Sequence, residues 1–134
     1  MDLGEAVMVA GIGCRKGASA NAVAAAIDQA LEHAGLSRMA LDLVATSAAK
    51  GGEPGVAAAA SDLGVPLVLV PQADLEAANE RTVTRSERVI ALTGLHSVAE
   101  AAALAAAGPQ ATLVAPRVAV GPVTCALAQR GGAP

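Results

Sequence analysis

AVMVAGIGCRKGAS, residues 6–19, is the stretch on which the fold turns. Its first half is a short apolar run that reads as a buried strand over residues 6–12, closed by glycine. Its second half sets glycines at 11, 13 and 17 around Cys14, Arg15 and Lys16, then passes at Ser19 into a helical pattern. Val23, Ala26, Ile27, Ala30, Leu31 and Ala34 recur at helical spacing through residues 20–34, with Ser19 suited to the cap and Gly35 to the stop. A strand that feeds a helix through a glycine-rich link opens an alternating β/α chain.

The alternation continues outward from there. Residues 40–46 form a second strand candidate, and residues 55–63 a short alanine-rich helix ending at Gly64. VPLVLV, residues 65–70, is the strongest strand signal, followed by a helical turn over 74–79. Residues 86–94 permit a strand through their VIAL run, but Ser86, Glu87 and Gly94 favour a short helix. Residues 97–107 are a helix with Ser97 and Glu100 in the S-x-x-E relation and Gly108-Pro109 as its stop. Alanine lies on every face of that helix, so it is expected to be buried or tightly packed. Residues 111–115 and 123–128 are the fourth and fifth strands. The short Gly121-Pro122 link between them excludes a crossover and permits an antiparallel pair. The order predicts an α/β fold: three layers, α/β/α, around a mostly parallel five-stranded mixed sheet, as one domain over residues 1–134 with a frayed tail from Arg130.

Composition narrows the function classes. The chain has 134 residues, about a quarter of them alanine, with no Phe, Tyr or Trp and a formal net charge of -3. Its core must be built from small and aliphatic side chains, so helices and sheet must approach closely. A nucleic-acid partner is not expected: there is no basic excess and no aromatic platform for bases. No apolar run approaches the ~20 residues of a membrane span, and there is no basic-then-apolar leader, so a cytoplasmic protein is expected. Cys14 and Cys125 fit neither a disulfide framework nor a zinc pattern, and no carboxylate or histidine cluster suggests a metal. No cofactor is expected.

In an open α/β sheet, ligands bind beyond the carboxyl ends of the strands. The sequence puts Gly13, Cys14, Arg15 and Lys16 after the first strand, Thr46, Ser47, Lys50 and Glu53 after the second, Thr93, Ser97 and Glu100 around the start of the last helix, and Arg117 after the fourth strand. Four of the nine lysines and arginines thus gather at one rim. The glycines spell neither G-x-G-x-x-G, since position 16 is lysine, nor a Walker loop, so a nucleotide cradle fits poorly. A glycine-rich turn at a helix start with two cations favours an anion, and the planar arginine fork suits a carboxylate. The alternative is a plain strand-to-helix turn with two solvated cations. Cys14 is a candidate nucleophile beside Arg15 and Lys16, although neither His33 nor His96 pairs with it in sequence, and a small buried residue is the competing reading. Glu100 is a candidate general base or cation-orienting group, with the helix cap as a sufficient structural reason for it. Lys50 and Glu53 could simply pair with each other, and Cys125, mid-strand, reads as core.

GIGCRKGAS at 11–19, ATSAAKGGEPG at 45–55, TGLHSVAEAAAL at 93–104 and VTCALA at 123–128 together resemble the cobalamin-biosynthesis CobE/CbiG C-terminal domain family, in order and spacing across nearly the whole chain. In that family the domain occurs alone or fused behind further domains, and the fused form is a cobalt-precorrin hydrolase that opens a lactone and releases acetaldehyde. Because the chain begins almost at its first strand, the resemblance implies the stand-alone form. It implies a cobalamin (vitamin B12) biosynthesis protein that binds a polycarboxylate corrin or precorrin intermediate as carrier or accessory factor. A precorrin-5 type lactone hydrolase using Glu100 or Cys14, or a structural subunit for another cobalamin-pathway enzyme, are its alternatives. The ring's acetate and propionate groups suit Arg15, Lys16, Lys50 and Arg117. The family usually carries a cation near position 117, most often lysine, whereas position 96 varies. Without aromatic residues, the ring would be met by aliphatic and backbone surface.

Overall fold

Apolar runs and alanine-rich amphipathic stretches alternate along the chain, and each takes the element its period dictates. In the computed structural model the described residues are 7–50, 53–83, 90 and 94–131, with the backbone alone at Lys50, Ala115 and Pro116. The strands are β1 (Val7–Cys14), β2 (Leu43–Ser47), β3 (Leu67–Val70), β4 (Thr112–Val120) and β5 (Val123–Arg130). The helices are α1 (Ala20–His33), α2 (Pro54–Leu63), α3 (Gln72–Ala78) and α4 (Val98–Ala107), with short 3-10 turns at Arg38–Ala40, Ala48–Lys50 and Asn79–Arg81. The helix expected over 86–94 lies almost wholly outside the described residues, as does the tail beyond Gly131.

The sheet order is β3-β2-β1-β5-β4. β1, β2 and β3 pair in parallel, β5 runs antiparallel to β1, and β4 runs antiparallel to β5. Four strands therefore point one way and β5 alone points back, as the short Gly121-Pro122 link requires. The mostly parallel five-stranded mixed sheet is borne out. So are the three layers: alternate residues of β1 face opposite cores. Met8, Ala10 and Ile12 pack with Val23, Ile27 and Leu31 of α1 and Val56 and Ala60 of α2. Val9 packs on the other face with Leu75 of α3 and Ala103, Leu104 and Ala107 of α4. A strand buried on both faces reads as a continuous apolar run rather than an alternating one.

Three expectations need correction. The first strand does not end at residue 12: β1 continues through Gly13 to Cys14, and of the three glycines only Gly17 lies in the turn before α1. A Cβ on Gly11 would collide with the Ala99 carbonyl and come within 2.5 Å of the Ala103 nitrogen and 2.8 Å of its Cβ. Glycine is needed here because α4 lies directly on the strand. The fourth strand extends past residue 115 to Val120, carrying Arg117 inside it. Finally, Arg130 closes β5 opposite Val7 and is not frayed.

Two predictions follow from this packing. Gly11→Ala should lower the unfolding free energy by about 2 kcal/mol or more, because neither the Ala99 carbonyl nor the helix backbone can yield to a methyl group; urea unfolding measures it. At the surface, Arg38 holds both oxygens of Asp28, at 2.8 and 2.7 Å. That hydrogen bonding, aided by charge and opposed by partial burial, lowers the Asp28 carboxyl below its ordinary range. A depressed carboxyl stabilises the fold above the ordinary aspartate range, and the benefit fades as pH falls through the folded value. Asp28→Asn should therefore be slightly less stable than the native chain at neutral pH and equal to it in strong acid, a small difference because the pair is exposed.

Candidate anion-binding rim

Each crossover helix runs back against its strand, so the N-termini of α1, α2 and α4 return to the carboxyl edge of the sheet. Ser19 caps α1 by accepting the Ala22 N–H at 3.1 Å, and Ser97 caps α4 by accepting the Glu100 N–H at 3.3 Å. Pro54 opens α2 at a position where no N–H is required. Unpaired amides and helix dipoles at this edge favour negative charge.

The loop after β1 is tied down by its backbone: the Arg15 N–H donates to the Pro122 carbonyl at 3.1 Å, and the Ala18 N–H donates to the Arg15 carbonyl at 3.2 Å. α2 presses against it, so that a Cβ on Gly55 would collide with the Ala18 carbonyl. This closeness lets Glu53 Oε1 accept the Gly17 N–H at 2.8 Å. Glu53 thus holds the loop whose neighbours Arg15 and Lys16 are exposed and make no side-chain hydrogen bond or ion pair among the described residues. Thr46 is buried, its hydroxyl donating to the Ile12 carbonyl at 2.8 Å across the β1–β2 ladder. Gly13 lies within β1, and its carbonyl accepts the Thr124 hydroxyl at 3.1 Å.

The second part of the rim is built around Glu100, which is fully buried. Its Oε1 accepts the Val83 N–H at 2.8 Å and its Oε2 accepts the Arg117 N–H at 3.1 Å. The S-x-x-E pattern is therefore half of a capping box: Ser97 caps the Glu100 amide, but the carboxylate turns away to two other segments. Beside it, Asn79 Oδ1 accepts the His96 N–H at 2.8 Å, and Thr82 Oγ1 stands 3.4 Å from His96 Nδ1. His96 therefore has a structural engagement that its loop position did not signal.

Arg117 does not follow the fourth strand; it sits in it, where the β4–β5 register slips between Ala115 and Val118. Its half-buried side chain forms no hydrogen bond or ion pair among the described residues. In level it stands opposite Ala126 of β5, which pairs with Gly11 of β1. Arg15 is four residues further along and two strands across, which places the two backbones roughly 16 Å apart by strand geometry. The backbone of Lys50 ends the 3-10 turn just beyond β2. Its side chain and all of Thr93 lie outside the described residues.

Cys14 is the last residue of β1, half-buried and packed against the α1 face. Cys125 is fully buried in β5, and burial pushes its thiol well above the ordinary range. At the opposite end of the sheet, an open cleft of about 270 Å³ lies between α3 and the end of α4, lined by Asp74, Ala78, Arg81, Ala105 and Pro109. Its cation is engaged, since Arg81 donates to the carbonyls of Gly108, Pro109 and Ala111 at 3.1–3.4 Å and so caps α4. No group of three or more metal-ligating side chains occurs among the described residues, and no helix there is long and apolar enough to cross a membrane.

Comparison with known proteins shows the family. The family model for the cobalamin synthesis G C-terminus (CbiG_C) matches residues 8–128. The chain belongs to that family. A Sinorhizobium sp protein named CobE is 41% identical over 121 residues, covering 90% of this chain and 79% of the relative. A crystal structure of CobE, a protein from the cobalamin (vitamin B12) biosynthetic pathway, matches with a TM-score of 0.87 and 35% identity, over 93% of this chain and 91% of that one. The cobalamin biosynthesis protein chiG from Agrobacterium tumefaciens matches at 0.73 with 48% identity, over 91% and 97% of the two chains. A putative cobalamin biosynthesis protein G homologue from Sulfolobus solfataricus shares the fold, with a TM-score of 0.71 and 22% identity, and this chain spans 36% of its length. The resemblance carried by the four motifs is borne out, and with it the place of this CbiG_C chain in a cobalamin synthesis family.

Within the family fold, the clasp at Glu100 predicts a definite loss. Glu100→Gln keeps the shape but replaces one acceptor by an NH2 facing a backbone N–H, so unfolding free energy should fall by about 1–3 kcal/mol. Denaturant titration at neutral pH measures it, and Glu76→Gln, at an exposed position of α3, should leave the midpoint nearly unchanged.

Proposed function

We propose that the chain binds a polycarboxylate corrin intermediate of cobalamin synthesis at the carboxyl rim of its sheet and holds it for a later enzyme of the pathway. The observation that carries this reading is the group of exposed or half-exposed cations, Arg15, Lys16 and Arg117, none of which has a protein counter-ion among the described residues. By contrast, Arg38 is spent on Asp28 and Arg81 on carbonyls. A wide ring with acids around its perimeter can bridge a spacing of roughly 16 Å between cation-bearing backbones, whereas a small anion cannot. Lys50, from the turn beyond β2, belongs to the same assignment. Glu53 and Thr46 support it by fixing the loop and strand ends, and Ser97 by capping α4.

The place of Glu100 favours a carrier over a hydrolase. A general base needs a free lone pair at the substrate, and this carboxylate is fully buried with an amide on each oxygen.

The test is a spectral titration with cobyrinic acid, a corrin whose side chains are free acids, against cobinamide, in which they are amides. The acid should bind and the amide should bind much more weakly. Arg15→Ala combined with Lys16→Ala should weaken acid binding by a few kcal/mol, since charge-assisted hydrogen bonds contribute about 1.5–3 kcal/mol each. Equal affinity for acid and amide, or a double variant that binds like the native chain, would put the ligand elsewhere.

A further inference from the structure

A carboxylate wholly removed from water is costly unless strong hydrogen bonds compensate it. α4 does not need one for its cap, because the Ser97 hydroxyl already takes the Glu100 N–H. The carboxylate instead reaches two segments distant in sequence and takes one backbone amide from each, Val83 and Arg117. At Arg117 it reaches β4 where the ladder to β5 is broken by consecutive register shifts, between Leu113 and Ala115 and between Ala115 and Val118. A bulge re-aims the side chain it carries, and an amide that has left the ladder needs another acceptor. Glu100 is that acceptor, and the residue whose amide it takes carries a cation with no side-chain partner among the described residues.

From this we infer that Glu100 is a positioning residue: its buried carboxylate fixes the β4 bulge so that Arg117 is presented, already ordered, to a carboxylate of the bound ligand. The inference rests on the reading of the rim as a carboxylate site. Its physical benefit is preorganisation: a guanidinium on a pinned backbone loses less freedom on binding than one on a mobile strand edge. The same carboxylate also ties the Val83 backbone to the bulge.

The experiment is a double-mutant cycle read by cobyrinic acid titration. Arg117→Ala should weaken binding about tenfold or more. Glu100→Gln should weaken it to a similar degree, and the double variant should be little worse than either single one. Raising salt should weaken binding less steeply in Glu100→Gln than in the native chain, as in Arg117→Ala, because one cation has been taken out of the site; a merely structural defect would leave that slope unchanged. Multiplicative losses in the double variant, or native affinity in Glu100→Gln, would overturn the inference. Failure of the native chain to bind the acid would overturn the proposed function itself, and Arg15/Lys16 sensitivity without coupling between Glu100 and Arg117 would overturn this inference alone. If Glu100→Gln does not fold, amide exchange in the native chain decides: the Arg117 N–H should exchange slowly for a strand edge and more slowly still with cobyrinic acid bound. Fast exchange unaffected by the acid would refute the positioning role.

Discussion

The close approach of α4 to β1 is the constraint from which the rest of this molecule follows. A chain without Phe, Tyr or Trp fills the space between helix and sheet with alanine, valine and leucine, so the layers must lie close together. At Gly11 even a methyl group is excluded by the backbone of α4. The helix is consequently buried almost all round, from Ala99 to Leu104 and at Ala107. Its first turn is pressed toward the carboxyl end of the central strand, near Gly13. Glu100 is thereby driven into the interior within reach of β4. A bulkier pair of residues at 11 and 103 would lift the helix and remove the carboxylate from both of its amides.

The electrostatics of the rim follow from the same topology. Parallel strands with returning helices bring α1, α2 and α4 to one edge with their positive ends outward. Two of the chain's own carboxylates respond to that field, Glu53 at the Gly17 amide and Glu100 at the Val83 and Arg117 amides. Both bind backbone, and neither pairs with the nearby guanidinium and ammonium groups. In the proposed reading, internal acids hold the scaffold and leave Arg15, Lys16 and Arg117 to an external one. The chain's net charge of -3 does not announce this arrangement, because net charge says nothing of where individual charges sit.

Much of the fold was legible because period and punctuation agreed. Helical spacing located α1 and the unbroken apolar runs located β1 and β3. The two-residue Gly121-Pro122 link foretold the antiparallel return of β5. What could not be read was which glycines bend the chain and which admit a neighbour: Gly13 reads as the end of the strand, and only the position of α4 shows why Gly11 must be glycine. Arg117 was misplaced for a similar reason. The apolar run ends at residue 115, but an edge strand tolerates proline at a bulge, and β4 continues beyond Pro116. The partners of Glu100 were invisible because both are backbone amides, which no residue type announces. Cys125 as core and Ser97 as cap were read correctly, since burial and capping depend on local pattern.

An aromatic-free site also bears on what kind of binding the proposed carrier would show. Stacking supplies much of the affinity when proteins grip flat rings, and none is available here. Attraction would come from a few charge-assisted hydrogen bonds at the ring's perimeter, reinforced by helix ends and by aliphatic contact. Such binding is selective for the pattern of acids, is weakened by salt and releases readily. A protein that must accept an intermediate and give it up to the next enzyme is served by that balance better than by a deep apolar pocket. For a grip resting on so few contacts, the order of each cation matters more than their number. The cost of burying Glu100 is then reasonable, because a carboxylate that faces no ligand can still determine how well Arg117 meets one.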